Sequence, residues 1–514
     1  MKIKMRNYKF YLLVFLALLP ILFLRDYTPG NELRYLSIAN EAIGNHTFFT
    51  FTNHGIPYAD KPPLYFWIIM FGKWLFGEYY MGFLSLFSLL PAFVITEIMN
   101  CWTADVIQSE FRPTVQLLLL TCGLFTGMIV TLRMDMLMCM FITLSLYTFY
   151  KMEKSEDKRR KNTILFPIYI FLAVFTKGPL GLLIPLLSIF VYLLLTKRIR
   201  RFGRYWGWKT WGILLFFCIV WFSLSYMEAG SGYLYNLLFH QTLGRAFHSF
   251  HHEAPFYYYG IAIWYSMAPW SLLILGIITA AVYKKYIITD LQKFFLTTAV
   301  TTFVLLSFVS SKLSVYLLPA YPFLVYLAVI YMPHFLKSFW IKVGIGIPAI
   351  LFCFSILILW RISHMDGISF LGLGLFYAAA GILTITGLLT LYNIYCRQQM
   401  NRAIQTFAIG LLSAVFVGSL TLPQINQEIG YGKLCDKALE IAQVNNVSTF
   451  YVWKIFRAEN MDVYLHKKVH TATLDDLTSE RLHHTVLMLP ENELDKFSEK
   501  PFSKVGRYAI ILLK

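Results

Sequence analysis

The chain has 514 residues, of which 57% are hydrophobic and only 14% charged, and its mean hydropathy is +0.58. Soluble globular chains carry about 25% charged residues, so this composition excludes a soluble enzyme and a disordered scaffold and describes a polytopic membrane protein. The 45 Lys and Arg against 28 Asp and Glu leave a net charge of +17. Membrane proteins gather such cations in their cytoplasmic loops, so the excess implies no nucleic acid partner.

In chain order, Lys2, Lys4, Arg6 and Lys9 precede an apolar run that ends at Leu24-Arg25-Asp26 without a small-x-small cleavage site. This reads as an uncleaved first transmembrane helix. Spans need roughly 17 to 25 apolar residues, and about thirteen are predicted: 9–24, 81–101, 114–132, 134–150, 163–176, 178–196, 210–227, 259–282, 293–310, 313–332, 342–360, 369–391 and 403–421. With the N-terminus inside, the basic runs at 151–161, 197–209, 284–285 and 397–402 all fall inside as well, as the positive-inside rule requires. The run at 197–209 then anchors the inner face and meets anionic membrane lipids. The odd number of spans puts the C-terminal segment outside.

Three hydrophilic pieces remain outside. The first loop, 25–80, contains an apolar stretch at 62–76 that is too short to span and reads as an interfacial helix. The second, 228–258, is rich in His and aromatics. The tail, 423–514, alternates short apolar runs with helical stretches, which predicts a small α/β domain. The expected fold is therefore an all-α polytopic membrane domain over 1–422 followed by that domain. The seven cysteines show no C-x-x-C spacing and read as packing residues.

Positive-inside does not explain charges at outer ends of spans. These are Asp26, Glu32, Arg34, Asp60, Lys61, Arg133, Asp135, Lys177, Glu228, Arg245, Glu253 and Lys312. Lys177 and Lys312 each sit in a short turn between two apolar spans. One lysine there can simply snorkel to the headgroups, but several cations on one face beside carboxylates suit the binding of a phosphate leaving group. A carboxylate suits activation of an acceptor hydroxyl. Outside the cell no nucleotide supplies activated sugar, so a polyprenyl phosphate is the natural donor. No phosphate-binding loop or dinucleotide fingerprint is present, and no nucleotide cofactor is expected.

Asn31-Glu32-Leu33-Arg34-Tyr35 and Tyr58-Ala59-Asp60-Lys61-Pro62-Pro63 resemble the first outer loop of C-type membrane glycosyltransferases. The resemblance is to the protein O-mannosyltransferase superfamily, and within it to the aminoarabinose lipid A transferase branch. There the pattern is approximately D-E-x-R-Y followed by Y-x-E-K-P-P. Arg133-Met134-Asp135, Thr176-Lys177-Gly178, His252-Glu253-Ala254-Pro255, Pro269-Trp270 and Lys312-Leu313-Ser314-Val315-Tyr316 follow in the family's order, so the resemblance covers about residues 10 to 325. The C-terminal domain also resembles that branch.

The resemblance implies a bacterial inner-membrane enzyme, with N-terminus cytoplasmic and C-terminal domain periplasmic. It would move a sugar or amino sugar from undecaprenyl phosphate to a periplasmic acceptor such as lipid A or another glycan. It implies Lys61 and Arg245 at the lipid phosphate, with Lys177, Lys312 and Arg34 as further donor-binding cations. Asp60 and His252 would be ligands of a divalent metal ion; His248 and His251 are alternatives, and all three histidines also read as hydrated loop residues.

One departure matters. The aspartate of the family's D-E pair is Asn31 here, and an amide cannot take a proton. Glu32 can act in its place, Asp135 can carry or assist the role, or the acceptor is already a good nucleophile such as a phosphate. Glu32 can equally pin the loop by pairing with Arg34 or Arg245. Two other functions compete: protein O-glycosylation at Ser or Thr, and transport of lipid-linked sugars. A transporter calls for paired halves and charges near mid-membrane, which this sequence does not show.

Overall fold

The computed structural model describes residues 8–154, 160–239, 253–365, 368–473, 475–476, 482–497 and 501–513. The chain divides into two compact units. One comprises residues 1–19, 59–65 and 85–418, and the other 20–58, 66–84 and 419–514.

The first unit is helical. Among the described residues of the whole chain, six helices are long and apolar enough to cross a membrane, or nine when each of three bent helix pairs counts as one span. Helices Asp135–Lys154 and Arg160–Lys177, with 20 and 18 residues, are also about 30 and 27 Å long at 1.5 Å per residue, but both carry charges at their ends. The bent pairs mark where the expectation of continuous spans fails. The predicted span 114–132 is two helices, Arg112–Leu120 and Gly123–Val130, meeting at 67°. Gly123 N donates to Ala268 O at 2.8 Å, and a Cβ at Gly123 would stand 2.8 Å from that oxygen. The predicted span 259–282 is likewise Tyr258–Ser266 and Ser271–Tyr283, bent by 120°. The second loop also differs from expectation at its start. Helix Trp208–Tyr235 continues past 228, broken only at Gly230 (φ 72°, ψ −171°), a backbone conformation open to glycine and costly for other residues.

The second unit joins the C-terminal segment to most of residues 25–80. Helix Glu32–Asn45 ends on His46 in the left-handed conformation. A short hairpin follows, β1 (Thr52–Asn53) and β2 (Ile56–Pro57). Glu41 holds it by accepting from Thr52 Oγ1 at 2.6 Å, His54 N at 2.6 Å and Gly55 N at 2.8 Å. The apolar stretch 62–76 forms helix Leu64–Phe76, on which Phe71, Trp74 and Leu75 are exposed.

The C-terminal segment contains β3 (Phe450–Val452), β4 (Val469–Thr471), β5 (Thr485–Pro490), β6 (Phe502–Val505) and β7 (Tyr508–Leu513), in the order β4-β3-β5-β7-β6. β3 runs parallel to β4 and β5, and β7 runs antiparallel to β5 and β6. β5 and β7 read as continuous apolar runs because both of their faces are covered. Trp453, Leu487, Leu489 and Ile511 form the core on one side. Helix Gly432–Val444 packs on the sheet through its buried Leu434, Cys435, Ala438 and Ala442. Asp26 pins this segment to the first loop. Its carboxylate accepts from Tyr27 N at 2.7 Å, Gly432 N at 2.7 Å and the Tyr464 hydroxyl, while its own N–H donates to Asn426 Oδ1 at 3.0 Å.

Candidate active site

A cavity of about 350 Å³ in the first unit is lined at one end by Asp60, Lys61, Lys177 and Tyr316, and elsewhere by apolar side chains including Val174, Leu183, Trp221 and Leu306. Local sequence sets each polar group. Lys61 precedes Pro62, which holds its backbone extended, and its Nζ lies 3.8 Å from Asp60 Oδ2. Lys177 ends helix Arg160–Lys177, where Gly178 adopts φ +100°. The next helix then returns so closely that a Cβ at Gly181 would stand 2.4 Å from the Ala173 carbonyl carbon. This tight glycine-bearing turn leaves the lysine at the rim of two apolar helices.

Lys177 is buried against Asp135, which its ammonium contacts directly, and lies 4.6 Å from the centroid of the Tyr316 ring. Arg133 Nε donates to the other oxygen of Asp135 at 3.0 Å. Asp135 opens helix Asp135–Lys154, where the helix dipole favours a carboxylate. Asp135 thus orients two cations. An ammonium has three donors, so Lys177 can serve Asp135 and still present a proton to an anion in the cavity.

Lys312 goes elsewhere. Its Nζ donates to Val309 O at 2.6 Å, closing the end of helix Asp290–Phe308, and it does not line the cavity. Ser311, which does, pairs with Glu253 in an isolated antiparallel bridge. Arg245 and His252, with His248 and His251, lie outside the described residues.

Glu32 and Arg34 belong to the second unit. Arg25 grips Glu32 with both terminal nitrogens, at 2.5 and 2.6 Å, and Glu32 Oε2 also accepts from Thr28 N at 2.8 Å and Thr28 Oγ1 at 3.0 Å. The Glu32 side chain is fully buried. Arg34 donates to Asn31 Oδ1 at 3.1 Å and lies 5.4 Å from the Tyr58 ring centroid. Arg25 and Trp221 were missed in the sequence, and Tyr316 stood there only as the end of the Lys312 motif, with no role assigned. Arg25 carried a signal: an arginine at the end of the first predicted span opposite the basic N-terminus runs against the expected positive-inside pattern and so calls for an acidic partner.

Of the expected metal ligands, Asp60 is among the described residues and His252 is not. Asp60 already faces an ammonium, and among the described residues no group of three or more His, Cys, Asp and Glu is arranged to hold an ion.

No family profile matches the chain. It is 27% identical over 453 residues to an uncharacterised protein of Aquifex aeolicus, covering 85% of this chain and 83% of that one. It is 26% identical over 324 residues to the undecaprenyl phosphate-alpha-4-amino-4-deoxy-L-arabinose arabinosyl transferase of Edwardsiella ictaluri, covering 60% of this chain and 56% of that enzyme. The chain thus matches little more than half the length of that transferase. Its fold is similar to that of the crystal structure of ArnT from Cupriavidus metallidurans bound to undecaprenyl phosphate. The TM-score is 0.76 at 17% identity, over 98% of this chain and 97% of that one. The chain is therefore a sequence relative of these arabinosyl transferases and has the fold of ArnT.

Proposed function

We propose that the protein is an integral membrane glycosyltransferase that moves a sugar or amino sugar from undecaprenyl phosphate to a periplasmic acceptor, with lipid A or another glycan as the acceptor class. The observation that carries this reading is the Lys61–Lys177 cavity: two ammonium groups at one end and an apolar wall along the rest. That is the shape and polarity of a phosphate joined to an isoprenoid chain. The relatives named for undecaprenyl phosphate donors, and the ArnT complex with that lipid, support it. About thirteen spans, the N-terminus in the cytoplasm and the C-terminal segment in the periplasm of a bacterial inner membrane complete the proposal.

In the reaction, the acceptor oxygen bonds the sugar C1 as the C1–O bond to the donor phosphate breaks. The departing polyprenyl phosphate changes from a diester to a monoester and gains a negative charge. Lys61 and Lys177 stabilise that charge where it develops, the kind of contribution that lowers a barrier rather than merely binding substrate. Arg133 and Asp135 act by holding Lys177 in place. Asp135 is engaged by two cations and Glu32 by four hydrogen bonds, and Asn31 is an amide. This commitment of both carboxylates favours an acceptor that brings its own negative oxygen, such as a phosphate on a glycolipid.

The test is transfer from a synthetic undecaprenyl-phosphate sugar by the full-length protein in liposomes, with Lys61→Ala as the variant. Loss of one such donor is expected to cost about 10²- to 10³-fold in kcat, with membrane insertion intact. Mass spectrometry of envelope lipids and glycoproteins, with and without the gene, identifies the acceptor. Undiminished transfer by Lys61→Ala overturns the site; a modified protein in place of a modified glycolipid overturns the acceptor class.

A further inference from the structure

A second cavity lies well apart in sequence from the first. It is a groove of about 640 Å³ along helices Gly374–Tyr395 and Met400–Ser419, two of the six long apolar helices. Its two ends differ in chemistry. Arg397, Arg402 and Gln405 line it beside the turn Cys396–Gln399 that joins the helices, and Ile382, Ile385, Leu389 and Ile409 line it farther along. The two helices touch at Gly410, where a Cβ would stand 2.0 Å from Thr386 Oγ1, and at Asn393, whose Nδ2 donates to Thr406 Oγ1 at 3.3 Å. These contacts fix the walls of the groove.

Both arginines are exposed, and among the described residues neither forms an ion pair. Arg397 lies 5.4 Å from the Tyr392 ring centroid, which positions its guanidinium without neutralising it. Arg402 stands in the first turn of helix Met400–Ser419, where unpaired backbone N–H groups also favour an anion. A short turn between two spanning helices lies at headgroup depth. The groove therefore presents two uncompensated cations at headgroup level and exposed aliphatic side chains at acyl-chain level.

We propose that this groove is a binding site for one anionic phospholipid. Its phosphate sits between Arg397 and Arg402, and an acyl chain runs along Ile385, Leu389 and Ile409. A zwitterionic phospholipid offers the same chains, but its own cation opposes the arginines, so the site selects by headgroup. It is independent of the Lys61–Lys177 cavity and of the donor lipid proposed there.

Full-length protein, purified in detergent and delipidated, is titrated with phosphatidylglycerol or phosphatidylcholine and read by native mass spectrometry. Two arginines at a headgroup are expected to favour phosphatidylglycerol roughly thirtyfold for the first lipid bound. Arg397→Ala/Arg402→Ala brings that lipid down to the phosphatidylcholine level, while Ile385→Trp, which fills the groove and keeps both arginines, weakens both lipids. Both sites are exposed, and an unchanged melting temperature identifies variants that have folded. Equal binding of the two lipids to the wild type overturns the proposal. A preference that survives in the double arginine variant also does so, because it assigns the effect to the basic runs elsewhere, such as 197–209.

Discussion

At the scale of single residues, the two buried carboxylates show how little a motif says about what a side chain does. Glu32 and Asp135 were both legible in the sequence as acids at outer ends of spans. Their partners were only partly so. Arg133 and Lys177 lie in motifs of their own, whereas Arg25 lies seven positions before Glu32 in a segment that reads as the end of a span. A bidentate arginine–carboxylate pair buried on both sides, with side-chain exposures of 8% and 0%, is costly to break from one side because the other charge is left unpaired. Glu32→Gln is therefore expected to destabilise the unit containing it by about 3 kcal/mol, read as a lower melting temperature in detergent, while transfer per folded molecule stays within about tenfold of wild type. If Glu32 instead removes a proton from the acceptor, the same variant melts normally and loses about 10² to 10⁴ in rate. The two outcomes separate an anchor from a base.

At the scale of elements, apolar length located the helices but not their breaks. The expected span 114–132 contains no proline within its body and reads as one apolar run. The break at Cys122-Gly123 comes from a distant partner: the carbonyl of Ala268, 145 positions along, accepts the Gly123 N–H and occupies the space of a side chain. Hydropathy is blind to such a contact, because it reports how each residue meets lipid and not which backbone it approaches. The same limit hid the continuation of helix Trp208–Tyr235 beyond Gly230, where polar residues suggested a loop. In contrast, the Gly178 turn was readable, since a glycine and a proline between two apolar runs leave few alternatives. Gly123→Ala forces its Cβ to within 2.8 Å of the Ala268 oxygen, so one of the two bent helix pairs must shift. Overpacking of this kind costs about 1–3 kcal/mol; thermal melting in detergent should fall accordingly. Gly127→Ala, at a glycine whose Cβ meets nothing within 4 Å in the same helix, should melt as wild type or slightly higher.

At the scale of the whole molecule, sequence patterning separated a membrane region from a tail, and the tail's mixed sheet was foreshadowed by its short apolar runs. That most of residues 25–80 folds with the tail was not legible, because the contacts join residues some 400 positions apart through single polar groups such as Asp26 and Asp462. Asp462 makes this unit pH-dependent. Its Oδ2 accepts from Ser37 Oγ at 3.0 Å, whereas its buried Oδ1 has no hydrogen-bond partner among the described residues. Burial raises its pKa above the usual aspartate value, opposed in part by the nearby His54 and by the Ser37 hydrogen bond. A carboxyl whose folded pKa is raised binds its proton more tightly in the folded state than in the unfolded one. Its contribution is therefore fully present below the unfolded value of about 3.9 and is lost as pH rises through the folded value. Above that point the unit carries a buried charge. Asp462→Asn removes the charge and keeps an oxygen to accept from Ser37. It should raise the melting temperature at pH 7.5 and flatten the decline between acidic and neutral pH expected of the wild type. A variant that melts lower than wild type at pH 7.5, with the wild-type pH slope retained, would show that the ionised carboxylate holds the first loop and the C-terminal segment together.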